Sequence, residues 1–189
     1  MKIGRIKVLD LQHLEKLTSM ELREVIGGYG GDGGCFYDCM SWLSKEVCGT
    51  EVNPDYFRND YADGKGNSND NWGGLTDRGE RWQAKWDGPK IYKSTGELNT
   101  DPLQYMSNYF DIEGSEWASE SSARDFWKEP SSSETKVMGA FEIDASVAHA
   151  VILTGYDEGK YSYYDPSTGC SGNFEASKFI GAVQVKGCK

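Results

Sequence analysis

A chain of 189 residues with 38% apolar and 13% aromatic residues can build one packed core of ordinary single-domain size, despite 23 glycines. Its formal net charge of −10 argues against a nucleic-acid partner, because phosphate binding needs a basic surface. No run approaches the ~18 consecutive apolar residues of a membrane span, and the N-terminus lacks the apolar centre of a Sec-type signal.

Residues 1–28 differ from the rest in holding no aromatic residue and no cysteine. Their apolar side chains Leu14, Leu17, Leu22 and Val25 recur at helical spacing, and Thr18-Ser19-Met20-Glu21 has capping-box form. Gly27-Gly28 would stop such a helix, and Tyr29 to Gly34 (29–34) reads as a glycine-rich spacer. Leu17-Thr18, Glu21-Leu22, Val25 and Gly27-Gly28 resemble the double-glycine leaders of peptides exported by peptidase-containing ABC transporters. The resemblance implies recognition through Leu14, Leu17, Glu21, Leu22 and Val25, cleavage after Gly28, and a secreted product. Two residues without side chains can thread a narrow protease cleft that excludes bulkier ones. Removing 28 residues from 189 leaves 161, and the leader's five Lys/Arg and four Asp/Glu take the charge to −11.

All five cysteines, Cys35, Cys39, Cys48, Cys170 and Cys188, follow the leader, a number that suits an oxidising destination. An odd count leaves one thiol over as a nucleophile candidate, and the other four allow three pairings. Cys35 and Cys39 have no second pair at zinc-ligand spacing, so no metal is expected. Residues 39–47 read as a helix, and Asp38 is a good N-cap residue, which would make Cys39 its first position. The other reading has the helix already formed at Phe36-Tyr37-Asp38, with Cys35 at its start.

The middle of the chain is less patterned. Asn59 to Gly74 reads as a polar loop without a calcium-loop spacing, and Leu103 to Phe110 as a short amphipathic helix. Ser115 to Ser133 is rich in Ser and Glu, and its Trp117, Phe126 and Trp127 suit either core positions or a substrate-facing rim.

With His13 in the leader segment, His149 is the only histidine of the remaining chain, so no two-histidine metal centre can form there. Residues 137–143 read as a buried strand, and His149 opens a second apolar run to Tyr156. Asp157-Glu158-Gly159 is a hairpin turn, residues 160–164 the return strand, and Asp165-Pro166 its end. A histidine at the start of one strand and a carboxylate at the end of its partner meet across the ladder. That pairing suits a base and the group that orients it. Asn173-Phe174 through Val185 gives a turn or short helix and a final strand.

His149-Ala150-Val151, Gly155-Tyr156-Asp157, a turn, and Tyr163-Tyr164-Asp165-Pro166 together resemble the histidine-to-aspartate hairpin of papain-like cysteine peptidases, especially the C39 and C39-like groups. Asp38-Cys39 before an apolar helix is similar to the opening of C39-like domains. The resemblance runs over most of 35–189 in the order of elements, and its motifs are specific at 35–44 and 137–166. It implies an α+β papain-like fold over 35–189, with a nucleophile helix packed on a small antiparallel sheet or barrel. It implies cleavage of a peptide or amide bond in a peptide or protein substrate, without a cofactor, by Cys39 as nucleophile. His149 would be the base, Asp165 the orienting group, and Cys35 the disulfide partner of Cys39. Cys35 is the alternative nucleophile.

The chain departs from the family in two places. The family's oxyanion glutamine lies about six residues before the nucleophile, where this chain has Gly33 (for Cys39) or Tyr29 (for Cys35), with no glutamine between Gln12 and Gln83. The small residue after the nucleophile is replaced by Met40. Losing one oxyanion donor typically costs ~10²–10³ in rate. A second expectation follows: a non-catalytic exported effector or bacteriocin-like protein that uses the fold as a binding scaffold. A leader-processing peptidase fits less well, since such domains are normally fused to their transporter.

Overall fold

The computed structural model describes residues 34–62, 98, 100–127, 135–144 and 147–189. The leader segment with Leu14, Leu17, Glu21, Leu22, Val25, Gly27 and Gly28 lies outside these residues, as do most of the spacer and of the 59–74 loop.

The chain is α+β, with one six-stranded antiparallel sheet and a few helices. Helix α1 (Cys35–Cys48) buries Phe36, Met40 and Leu43 at i, i+4, i+7 spacing, with Tyr37 and Ser44 beside them. It ends at Gly49, whose φ of 67° is the left-handed conformation that glycine adopts without a Cβ penalty. Helix α2 (Pro54–Ala62) starts at its proline and takes in residues 59–62, which sequence reasoning assigns to a loop. Helix α3 (Asp101–Met106) is shorter than the expected 103–110 element, because Phe110 leaves to begin strand β1 (Phe110–Ile112). A short helix α4 (Glu120–Asp125) is capped by Ser119, whose side chain accepts from the Ser122 N–H. No helix among the described residues is long and apolar enough to cross a membrane.

Strands β2 (Lys136–Asp144), β3 (Val147–Asp157) and β4 (Lys160–Asp165) form the expected meander. The β3–β4 turn places Glu158 at φ 45° and Gly159 at φ 84°, the two positive values a tight hairpin turn requires. Strand β5 (Cys170–Glu175) pairs with β4 along its length, and a 3₁₀ turn at Ala176–Lys178 leads into β6 (Phe179–Cys188). The sheet order is β1-β6-β2-β3-β4-β5, so the last strand inserts between β1 and β2. Among the described residues it is a sheet with edges at β1 and β5, not a closed barrel.

The pleat sorts the strand residues onto two faces. Met138, Ala150, Ile152, Val183 and Val185 join α1, α2 and α3 in one core, dense in Tyr37, Phe57, Tyr61, Tyr105 and Phe110. Val137, Val151, Leu153, Tyr161, Phe174 and Ala182 form a second core under α4, with Phe126 and Trp127 packed against it. Trp117 is buried in the first core, which favours the core reading of that aromatic over a rim role. The Cys48–Cys188 disulfide ties the end of α1 to the last residue of β6.

Candidate functional site

Three elements converge at the N-terminal end of α1. The helix begins at Cys35 with Gly34 as its N-cap, so Asp38 lies within the first turn and is not the cap. Of the two sequence readings, the one with Asp38 as cap places the start four residues later because Asp is a strong N-cap, and the helix follows the other, with Cys35 at its start. Burial of Phe36 and Tyr37 (5% and 0% exposed) against the core extends the helix back to the spacer. The expectation for Cys39 changes accordingly. It sits one turn into α1, is 0% exposed, and burial pushes its thiol well above the ordinary range, helped by the negative charges around it. A protonated thiol sealed in the core is a poor nucleophile. The expected Cys35–Cys39 disulfide is also absent: Cys35, Cys39 and Cys170 are free, and Cys48 pairs with Cys188.

Cys35 is half-buried at the first position of α1. Its sulfur accepts a hydrogen bond from the Ala150 N–H at 3.4 Å, and it lies near enough to the His149 imidazole to favour the charged ring. His149 lies near the start of β3, 7% exposed, and its Nε2 is 3.0 Å from Asp165 Oδ2. With Nε2 turned to the carboxylate, Nδ1 is the ring nitrogen left for the sulfur. The Ile152↔Tyr164 pairing in the β3–β4 ladder brings the start of β3 to the end of β4, so His149 and Asp165 meet diagonally. Phe141 of β2 stands edge-on to the imidazole, with centroids 5.6 Å apart at 88°, which fixes the ring plane from the third side.

The orienting carboxylate is itself well held. Asp165 Oδ1 accepts from the Ser167 N–H at 2.9 Å, and Oδ2 accepts from Thr168 Oγ1 at 3.0 Å as well as facing the imidazole. Ser167 also donates from Oγ to Asp38 Oδ2 at 2.8 Å. Sequence reasoning misses Ser167, Thr168 and the linking role of Asp38. An Asp followed two residues later by an N–H it can accept from is a readable Asx-turn signal, but the Asp38 contact spans 129 positions.

The two charges support each other. Burial disfavours the imidazolium, but Asp165 and Cys35 outweigh it through hydrogen bonds and charge, and His149 is pushed up to about 10. Burial would raise Asp165 too, yet the bonds from His149, Thr168 and Ser167 and the imidazole charge hold it below its usual range. The stability that His149 gains is fully present below its ordinary 6.5 and is lost as pH rises through about 10. The stability that Asp165 gains is present above its ordinary 3.8 and is lost as pH falls through its lowered folded value. Asp165→Asn is therefore expected to destabilise by ~1.5–3 kcal/mol, the range for a hydrogen bond to a charged group. The loss should be largest between those two ordinary values and shrink toward about pH 10, as read by urea denaturation across that range.

No group of three or more His, Cys, Asp or Glu side chains suited to a metal ion occurs among the described residues. The arrangement is a thiol, an imidazole and a carboxylate in series, with the thiol at a helix N-terminus where the dipole favours negative charge. Such a series can generate a thiolate and then return a proton to a leaving group. No family model matches this chain, and no curated protein or solved structure matches it either.

Proposed function

We propose that this chain is an exported cysteine hydrolase of papain-like fold, acting on a peptide or amide bond with Cys35 as nucleophile. The observation that carries the proposal is the Cys35–His149–Asp165 series at the start of α1. Cys39 is set aside as nucleophile because it is sealed in the core.

The chemistry follows from the placement of the three groups. Cys35 Sγ attacks the carbonyl carbon, forming an S–C bond while the carbonyl oxygen takes up negative charge. First-turn amides of α1, which has no side-chain cap, lie at the positive end of the helix dipole and can face that oxygen. His149 gives its proton to the departing amine, the C–N bond breaks, and a thioacyl enzyme remains. His149 then takes a proton from water as the water attacks the thioester, and the thiolate leaves with the imidazolium restored. Asp165 keeps the ring oriented throughout. An active ester or peptidyl acyl donor should leave a mass increment on Cys35, absent in His149→Ala. An unmodified Cys35 under those conditions would contradict hydrolase activity.

The missing oxyanion glutamine favours a second reading, in which the exported protein is a bacteriocin-like effector that keeps the fold as a non-catalytic scaffold. Under either reading the 1–28 segment is a leader for a peptidase-containing ABC transporter. The exported form is expected to begin at Tyr29 by mass spectrometry, and an exported chain retaining Met1 would remove the leader from the account.

A further inference from the structure

We infer that the Asp38–Ser167 hydrogen bond is a positioning clamp that sets the distance between the Cys35 sulfur and the His149 ring; the inference rests on the hydrolase reading of the same site. The three chemical groups come from three elements: Cys35 from α1, His149 from β3 and Asp165 from the end of β4. Apolar packing in the core shared with Ala150 and Ile152 seats α1 on the hairpin, but such packing allows sliding. The turn after β4 supplies a directional side-chain connection.

That turn is tightly made. Ser167 N–H and Thr168 Oγ1 both reach back to the Asp165 carboxylate, and Gly169 N–H bonds the Asp165 carbonyl at 2.8 Å, with Gly169 at φ 69°. The turn therefore moves with Asp165 as one piece. Its Ser167 hydroxyl reaches Asp38 Oδ2 at 2.8 Å, and Asp38 lies on α1 about one turn beyond Cys35. The contacts close a ring: Cys35 to the Ala150 N–H, along β3 to His149, His149 to Asp165, Asp165 to Ser167, Ser167 to Asp38, and back along α1 to Cys35. A closed ring leaves less freedom than an open series, because a shift of the helix must break a hydrogen bond. The other contacts between helix and hairpin near the site are softer: the Ala150 N–H on the Cys35 sulfur at 3.4 Å, apolar packing in the core shared with Ala150 and Ile152, and Trp42 against Tyr164, rings 5.9 Å apart and tilted. Reacting groups misplaced by ~1 Å can lose ~10² in rate, so a clamp at this point bears on chemistry.

The test is the rate of Cys35 alkylation by iodoacetamide on the full folded chain, with mass spectrometry locating the adduct. Ser167→Ala and Asp38→Ala are each expected to slow it by ~10-fold or more, and the double variant no further than either single one. Ser167→Thr, which keeps the hydroxyl, and Asp38→Asn, which keeps an acceptor oxygen, are expected to retain most of the rate. Urea midpoints measured alongside separate folding from positioning. Wild-type rates in Ser167→Ala and Asp38→Ala, or slowing that the conservative variants share, would overturn the clamp while leaving the hydrolase reading in place. Alkylation of Cys35 that is indifferent to His149→Ala would overturn both.

Discussion

Replacing Cys35 with serine is expected to abolish thioacyl formation, and replacing His149 with alanine to slow it by ~10²–10⁴, the usual contribution of a positioned acid–base group. The same assay on Cys39→Ala should give a rate close to wild type. Cys39 is wholly buried one turn below the site, so losing its sulfur leaves a small cavity and costs on the order of 1 kcal/mol of stability. The contrast between two cysteines four positions apart on one helix follows from helix geometry. Cys35 sits at the open end, where N–H groups and the imidazole gather, whereas Cys39, one turn further on, is wholly buried in the first core. Activity that followed Cys39 and survived Cys35→Ser would reverse the assignment.

The second large effect concerns the disulfide. Cys48 and Cys188 are separated by 140 positions, and closing a loop of that size removes about 5 kcal/mol of chain entropy from the unfolded state. The double variant Cys48→Ala/Cys188→Ala is expected to lose ~2–5 kcal/mol, a drop of on the order of 2 M in the urea midpoint. Reduction of the wild type should reproduce most of that drop, and the double variant should then be insensitive to reductant. The bond joins the end of α1 to the strand that runs between β1 and β2, so it staples the helix to the sheet. A midpoint unmoved by reduction would contradict this role.

The hairpin was legible because its signals are local. Two runs of strand-forming residues and the Asp157-Glu158-Gly159 turn between them fix a register, and that register brings His149 to Asp165. The start of α1 was legible only as a choice between Cys39 and Cys35. Asp38 has the strongest N-cap side chain nearby, while the true cap is Gly34, which carries no side chain to signal it. What decides between the two sequence readings in favour of Cys35 is burial of Phe36 and Tyr37 against residues far along the chain, which a local window does not contain. The same distance hid the Cys48–Cys188 pairing, since five cysteines do not dictate their partners. Strand β5 was missed because Phe174 is its one buried side chain, so its polar exposed run looks like a loop. The expected order of elements, a cysteine-bearing helix followed by an antiparallel sheet, agrees with the α+β architecture.

Site-resolved alkylation of the native protein by iodoacetamide, at about pH 6 where an ordinary thiol is almost wholly protonated, tests the central claim most directly. Three free thiols compete: exposed Cys170, half-buried Cys35 and sealed Cys39. Access alone would favour Cys170. Activation by the imidazole should instead direct the reagent to Cys35, forming an S–C bond with loss of iodide, at least ~10-fold faster than to Cys170. That advantage should vanish in His149→Ala, and Cys39 should react only after unfolding. Modification of Cys170 ahead of Cys35, or of Cys35 at the same rate with and without His149, would contradict the account.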